Sequence, residues 1–279
     1  MAVTGDGSAE NPYVVTTYAE LVEKAAESDK YIKIGNDINI MDEYPNDDMP
    51  TLDINGSYID GDGKKIANWY KTTSGYCINW SSGSTSTIKN AKLLNIYITS
   101  VCSGFFYVNT HTVPPFENCM FSGILYNHFK VGEFIELKNC SMNLDLRKDV
   151  PMGTCTIADF NGLSFNNCYL KAKDTTATAE RPIFPNFYAK PCTKDSYFDI
   201  ETNAAYAVSY YRDGQGFDNS AFDIKTNKSW GWPNISGYST SIFNGTSAPN
   251  VSATNAVKAV SDENWLDVSY LNGIGFNAG

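Results

Sequence analysis

The stretch Phe165-Asn166-Asn167-Cys168-Tyr169-Leu170-Lys171-Ala172 decides the fold, because the same short phrase recurs through the middle of the chain. The phrase is an apolar residue, a spacer, Asn or Asp, a small residue and then alternating apolar positions. A phrase that returns in this way indicates an internal structural repeat. Its other copies are Ile88-Lys89-Asn90-Ala91, Phe116-Glu117-Asn118-Cys119, Leu137-Lys138-Asn139-Cys140, Cys192-Thr193-Lys194-Asp195-Ser196 and Phe217-Asp218-Asn219-Ser220.

The spacing of the copies is typical of a stacked solenoid. Successive Asn or Asp residues are 28, 21, 28, 28 and 24 residues apart, from Asn90 through Asn118, Asn139, Asn167 and Asp195 to Asn219. A single rung cannot bury its own apolar face, so neighbouring rungs must stack. With Asp62 as a further anchor, the pattern predicts an all-β parallel β-helix of about seven rungs. The small residue is expected to face the core, and Asn to occupy a left-handed turn position and bond the backbone.

Short capping helices are predicted at both ends of the solenoid. Thr17 and Glu20 have the spacing of a capping box, with an apolar face continuing to about Ser28. Ser261 is a candidate N-cap for a second helix that ends near Leu271. The predicted segments are a strand-and-helix cap at 1–45, the β-helix at 46–228 and a C-terminal segment with capping helix and assembly contacts at 229–279.

Composition excludes some classes of partner. The chain has 279 residues and a formal net charge of -10, and its only arginines are Arg147, Arg181 and Arg212. Phosphate backbones require clustered basic residues, so a nucleic-acid partner is not expected. No apolar run reaches the roughly 20 residues that cross a bilayer, so membrane insertion is not expected either. The first residues lack the features of a signal peptide, which predicts synthesis in the cytoplasm.

The cysteines and histidines, which are the residues most often found in metal and catalytic sites, have a structural interpretation in this sequence. Cys119, Cys140 and Cys168 occupy equivalent slots of the repeat, which favours small buried core residues over a metal site. The two histidines, His111 and His128, cannot supply a histidine-rich site. We therefore predict no catalytic residues, no metal and no cofactor. Four strand carboxylates keep a hydrolase pair open as an alternative, since two of them could face one groove: Asp145, Asp159, Asp199 and Asp223.

Aromatic residues near the end of the repeat region are the candidate binding residues. Tyr210, Tyr211, Trp230 and Trp232 could contact a glycan or, as the favoured interpretation, pack in a cap or a subunit interface.

Both ends of the chain resemble a known kind of protein. The segment from Gly5 to Leu21, with Gly-Asp-Gly-Ser and Asn-Pro-Tyr-Val-Val, resembles the entry segment of right-handed, pectate-lyase-like parallel β-helix proteins of bacteriophages and bacterial surfaces. The segment from Trp265 to Phe276 resembles the short C-terminal helix and Ile-Gly-Phe tail of phage-encoded proteins of this kind.

The resemblance implies a non-enzymatic structural protein of a bacteriophage virion. A tail fibre or tailspike, a head fibre and a capsid decoration protein all fit, with host-surface adhesion or particle decoration as the role. It also implies a homotrimer, other virion proteins as partners and a host cell-surface glycan as a ligand. Two alternatives stay open: a β-helix polysaccharide depolymerase, acting as a lyase or hydrolase, and a bacterial surface adhesin.

Overall fold

The computed structural model describes residues 3–45, 49–81, 85–109, 113–132, 135–147, 163–174, 193–194, 196–202, 217–218, 221–226 and 242–244. Within these ranges one α-helix, α1 (Tyr18–Ala25), and one 3-10 helix, Ile40–Asp42, accompany the strands. The strands in chain order are β1 (Tyr13–Val15), β2 (Tyr31–Ile34), β3 (Ile38–Asn39), β4 (Leu52–Ile54), β5 (Tyr58–Asp60), β6 (Lys65–Ala67), β7 (Tyr70–Lys71), β8 (Tyr76–Trp80), β9 (Ile88–Lys89), β10 (Lys92–Ile98), β11 (Gly104–Val108), β12 (Phe116–Glu117), β13 (Met120–Leu125), β14 (His128–Gly132), β15 (Ile135–Lys138), β16 (Ser141–Leu146), β17 (Leu163–Asn166), β18 (Tyr169–Asp174), β19 (Thr193–Lys194), β20 (Tyr197–Thr202), β21 (Phe217–Asp218), β22 (Ala221–Thr226) and β23 (Ile242–Asn244).

The strands form three sheets in which neighbours pair in parallel. Sheet one has the order β1-β2-β5-β9-β12-β15-β17-β19-β21, and sheet three has the order β4-β8-β11-β14. Sheet two runs from β3 through β6, β10, β13, β16, β18, β20 and β22 to β23, with β7 also paired to β10. The chain visits the sheets in turn, for example from β9 to β10 to β11 and back to β12. This coil is a parallel β-helix, which confirms the predicted fold class.

The described coil makes about five turns, whereas the repeat predicted about seven. Five of the predicted anchors are described, and all five have the left-handed conformation, with φ between 50° and 55°. The two further anchors, Asp195 and Asn219, lie outside the described residues, although strands before and after them continue sheets one and two. The predicted C-terminal helix also lies outside the described residues.

The first anchor is displaced from its predicted position. Asp60 pairs with Lys89, so Gly61 rather than Asp62 stands opposite Asn90. Four residues separate β5 from β6 at this turn, whereas two separate β9 from β10. A Cβ at Gly61 would lie 2.5 Å from the carbonyl oxygen of Asn90, so this close approach requires glycine.

The core is built from columns of similar residues in register. In sheet one Ile88 pairs with Phe116, and Phe116 pairs with Leu137. In sheet two Leu93 pairs with Phe121, which pairs with Met142. All of these side chains are buried, so each rung covers the apolar face of the next, as stacking of incomplete units requires.

The helix α1 closes one end of this core. Thr17 is its N-cap and accepts a hydrogen bond from the backbone N–H of Glu20, as predicted. The Glu20 carboxylate reaches Thr16 rather than Thr17, and Glu43 accepts from the first free N–H groups of the helix. The helix ends at Ala25, three residues before the predicted limit, and buries Leu21 and Tyr18 against the neighbouring strands.

Candidate functional site

The outer face of sheet one carries a groove of about 460 Å³. Residues two apart on a strand share one face, so the groove has two walls. One wall runs across β2 and β5 to the start of β9, and the other runs across β2, β5, β9 and β12. The aromatic wall consists of Tyr31, Tyr58 and Thr87, and the charged wall consists of Lys33, Asp60, Lys89 and Glu117. The residues that line the groove are Ala9, Pro12, Tyr31, Ile32, Lys33, Tyr58, Asp60, Thr87, Lys89 and Glu117.

The aromatic wall is a stacked pair of tyrosines. Tyr31 and Tyr58 are in register on adjacent strands, with ring centroids 5.0 Å apart and planes inclined by 15°. Parallel strands are about 4.8 Å apart, so identical rings in register stack without distortion. Tyr58 covers one face of Tyr31, and 38% of Tyr31 remains exposed. The pair therefore presents a fixed apolar surface to the groove.

The charged wall alternates in sign from strand to strand. Lys33 pairs in register with Asp60, Asp60 with Lys89, and Lys89 with Glu117. The Lys89 ammonium lies 3.4 Å from the Asp60 carboxylate. Glu117 is paired with Lys138 of the next strand, at 2.6 Å. Opposite charges facing each other across strands stabilise the register, and here they leave the wall with no net charge.

Hydrogen bonds hold Asp60 in its ionised form. Partial burial acts to raise the pKa of Asp60, but hydrogen bonds from the backbone N–H of Asp62 and from Asn90, together with Lys89, outweigh it and lower the pKa below its ordinary value. On the next strands, a hydrogen bond to Glu117 raises the pKa of Lys138. A glycosidic general acid needs a raised carboxyl pKa. The chemistry of Asp60 therefore suits a fixed charge and not a proton donor.

The charged wall is the part of the repeat that sequence reasoning missed. Lys89, Glu117 and Lys138 each stand directly before an anchor Asn, in the slot that was interpreted as a spacer. The same register continues through Asn166 and Lys194 to Asp218. The available signal was the sign of the charge in this slot, which alternates in consecutive copies instead of repeating.

The inner corner is the turn between sheets one and two that holds the anchor asparagines and the small residues that follow them. The described anchor asparagines bond to each other there in two separate pairs, and Asn118 Oδ1 is buried without a hydrogen-bond partner in the described part of the chain. The Asn118 amide donates to Asn90 Oδ1 at 3.2 Å, and the Asn167 amide donates to Asn139 Oδ1 at 3.0 Å. At the lower end, Asn90 donates to Asp60 at 3.1 Å. The left-handed turn conformation was predicted correctly. The expected side-chain bonds to backbone are replaced by bonds between rungs.

The cysteines beside these asparagines are core residues, as predicted. Cys119, Cys140 and Cys168 are free and buried. Burial raises the pKa of the Cys119 thiol to about 12, and burial also raises the pKa of Cys140 well above its ordinary value. Such thiols stay protonated and unreactive at neutral pH. In the part of the chain that the structure describes, no three His, Cys, Asp or Glu residues are grouped as metal ligands.

The structure does not describe the four aromatic residues that the sequence indicated as candidate binding residues. Tyr210, Tyr211, Trp230 and Trp232 all lie outside the described residues, so their role as glycan or subunit contacts stays a prediction. His111 also lies outside them, whereas His128 begins β14 and is half-buried. Over the described ranges, none of the helices has the length and hydrophobicity to span a bilayer.

The strand carboxylates of the hydrolase alternative fall into two groups. Asp145 pairs with Arg147 at 2.8 Å. Asp199 and Asp223 occupy facing register positions on β20 and β22, next to Lys171 on β18. Asp159 lies outside the described residues. Among the described positions, Asp199 and Asp223 are the two that lie on neighbouring strands.

Comparison with other proteins adds no relative from which a function could be transferred. The sequence matches no protein-family model, and neither the curated proteins nor the solved structures give a significant match. What the chain does must therefore be inferred from its parallel solenoid, the paired charges of sheet one and the groove between its two walls.

Proposed function

We propose that the protein is a non-enzymatic structural component of a bacteriophage particle that serves host-surface adhesion or particle decoration. A tail fibre or tailspike, a head fibre and a capsid decoration protein are the positions in a virion that a rigid solenoid suits. The proposal includes a homotrimer, contacts with other virion proteins, synthesis in the bacterial cytoplasm and final residence in the virion.

The pairing of the groove carboxylates is the observation that carries the non-enzymatic part. Asp60 and Glu117 each lie within 3.4 Å of a lysine ammonium, and the pKa of Asp60 is lowered. An acid catalyst of glycoside cleavage is kept protonated near neutral pH, by burial or by a like charge. The groove arranges its charges in the opposite way, which supports a role in holding and contact.

The bacteriophage part of the proposal is supported by resemblance. The segments from Gly5 to Leu21 and from Trp265 to Phe276 resemble the ends of phage-encoded β-helix proteins. The core columns add a mechanical argument, because apolar side chains in register pack each rung against the next and two pairs of anchor asparagines bond neighbouring rungs. An elongated particle appendage needs an extended scaffold, and a solenoid in which each repeat contacts only its neighbours extends along one axis.

Mass spectrometry of purified virions tests this proposal. We expect peptides of this chain in particles that have been banded by density and washed, together with peptides of capsid or tail proteins. Cross-linking before digestion would then identify its neighbours and its copy number. Peptides found only in the soluble lysate of infected cells would overturn the proposal, and peptides on the surface of uninfected bacteria would favour the adhesin alternative.

A polysaccharide depolymerase is the second candidate, and one observation favours it. The register places Asp199 opposite Asp223 on the neighbouring strand, and a glycosidase requires two carboxylate residues at neighbouring positions. Retaining glycosidases use two carboxylates about 5–5.5 Å apart. Incubation of the full chain with host capsule would release new reducing ends if this candidate is correct, and Asp199→Asn would abolish that release.

A further inference from the structure

We propose that the groove of sheet one binds a linear, uncharged oligosaccharide that lies along the solenoid axis between Pro12 and Glu117. The inference rests on the proposed adhesive function, and it gives that function a site and a ligand class.

The shape of the groove favours a linear ligand. It crosses four successive strands of sheet one, from β2 to β12, which corresponds to three intervals of about 4.8 Å. Its walls are two residues apart along each strand, or about 6.6 Å. The strand N–H and C=O groups beneath it are committed to the sheet, so an added peptide strand would find no backbone partners on this face.

The aromatic wall supplies a surface for the apolar faces of sugar rings. Tyr31 is 38% exposed, and Tyr58 fixes it from behind at 5.0 Å. Because the ring is already ordered by this stacking, a ligand that packs against it does not have to immobilise it. Tyrosine has only two side-chain torsions, which further limits the entropy cost of contact.

The charged wall favours hydroxyl groups over charged groups. Lys33 and Lys89 are balanced by Asp60 and Glu117, so the wall has no net charge. A paired carboxylate keeps lone pairs free, and an ammonium has three donors, so both can bond a further group. Hydroxyls, which donate and accept, can use every position of such a wall. A uronate, sulfate or phosphate group would be attracted by each lysine but repelled by the adjacent carboxylate, so the net electrostatic gain would be small.

Titration of the full chain with defined oligosaccharides tests the inference. The probes are the neutral tetrasaccharides maltotetraose, cellotetraose and mannotetraose, with tetragalacturonate as the charged comparison. Ligand-observed saturation-transfer NMR and calorimetry would measure binding up to about 10 mM, because a shallow open groove is expected to bind with Kd on the order of 1 mM. We expect at least one neutral probe to bind and tetragalacturonate to bind more weakly.

Two tyrosine variants locate the binding. Tyr31→Ala should raise Kd by about threefold to tenfold, the range expected for a lost aromatic contact. Tyr70→Ala is the matched control, because Tyr70 is also 38% exposed and is stacked on Tyr97 at 5.1 Å, but it lies on sheet two. Equal unfolding temperatures of the two variants would show that loss of stacking alone does not explain the change.

Each outcome decides the inference. No binding of any neutral probe, tighter binding of tetragalacturonate, or equal losses in Tyr31→Ala and Tyr70→Ala would overturn it. Failure here is separable from failure of the proposed function. A chain found in virions that binds none of the probes keeps its structural role without this site, and a chain that binds them but is missing from virions keeps the site without the virion role.

Discussion

The inner corner and the charged wall are adjacent in the sequence but repeat in opposite ways. At the inner corner each turn places the same kind of residue above its predecessor, as Cys140 lies between Cys119 and Cys168. On the charged wall each turn places the opposite charge, as Lys89 lies between Asp60 and Glu117. One residue of sequence separates Lys89 from the Ala91 slot of the corner.

The difference follows from what each environment penalises. A buried corner penalises any change in volume, because interiors are close-packed and a larger neighbour has nowhere to go. An exposed face tolerates volume but penalises like charges on adjacent strands. The inner corner therefore repeats side chains of similar volume and the charged wall alternates charge, and each rule can be broken separately by substitution.

The largest effect is expected from breaking the shape rule at Cys140. This side chain is 1% exposed, and its backbone N–H donates to Cys168 Sγ at 3.5 Å. Cys140→Leu inserts volume between two stacked thiols and should lower the free energy of unfolding by about 3 kcal/mol. Urea denaturation followed by tryptophan fluorescence measures it. Cys140→Ala is the control and should cost about 1 kcal/mol; equal losses would mean that the corner has room to spare.

The next effect concerns the left-handed anchor Asn167, which has φ of 52°. Alanine has no side-chain amide to offset the steric cost of the left-handed conformation. Asn167→Ala also removes the hydrogen bond to Asn139 at 3.0 Å. We expect a loss of about 2 kcal/mol in the free energy of unfolding. Asn167→Gly keeps the conformation and loses only the amide, so it should cost about 1 kcal/mol. If glycine is as damaging as alanine, the hydrogen bond to Asn139 and not the backbone conformation determines the choice of Asn at position 167.

These two rules explain how much of the molecule the sequence could predict. The phrase around Cys168 predicts the parallel solenoid and the left-handed anchors. Buried corners repeat the same residue types, and such a repeat can be recognised in a single sequence. The groove was missed for the converse reason. Lys89, Glu117 and Lys138 share a slot but not a sign, and Tyr31 and Tyr58 precede the first copy of the phrase, so only the strand register brings them together.

A smaller effect should follow from breaking the charge rule at Lys89. Lys89→Glu would place three acids in a row with Asp60 and Glu117, and we expect a loss of about 1 kcal/mol in the free energy of unfolding at low salt. Because these side chains are partly exposed, the loss should shrink at about 1 M NaCl, where charges are screened within about 3 Å. Urea titrations at both salt concentrations provide the measurement. Lys89→Met removes the attraction without adding repulsion and should cost less than half as much; a loss that salt does not change would point to packing.

The smallest effect is a pH dependence in the acid range, below about pH 4, that the charged wall should show and the inner corner should lack. Burial alone would raise the pKa of Asp60, but its hydrogen bonds and Lys89 lower it from the ordinary 3.8. A lowered folded pKa means that the stability from this carboxylate is present above 3.8 and is lost as the pH falls through the folded value. The unfolding temperature of the wild-type chain should therefore exceed that of Asp60→Asn at about pH 6, and the gap should close by about pH 2. A gap of constant size over this range would mean that Asp60 acts through its hydrogen-bond geometry, which Asn can reproduce in part, and that its charge contributes nothing to the wall.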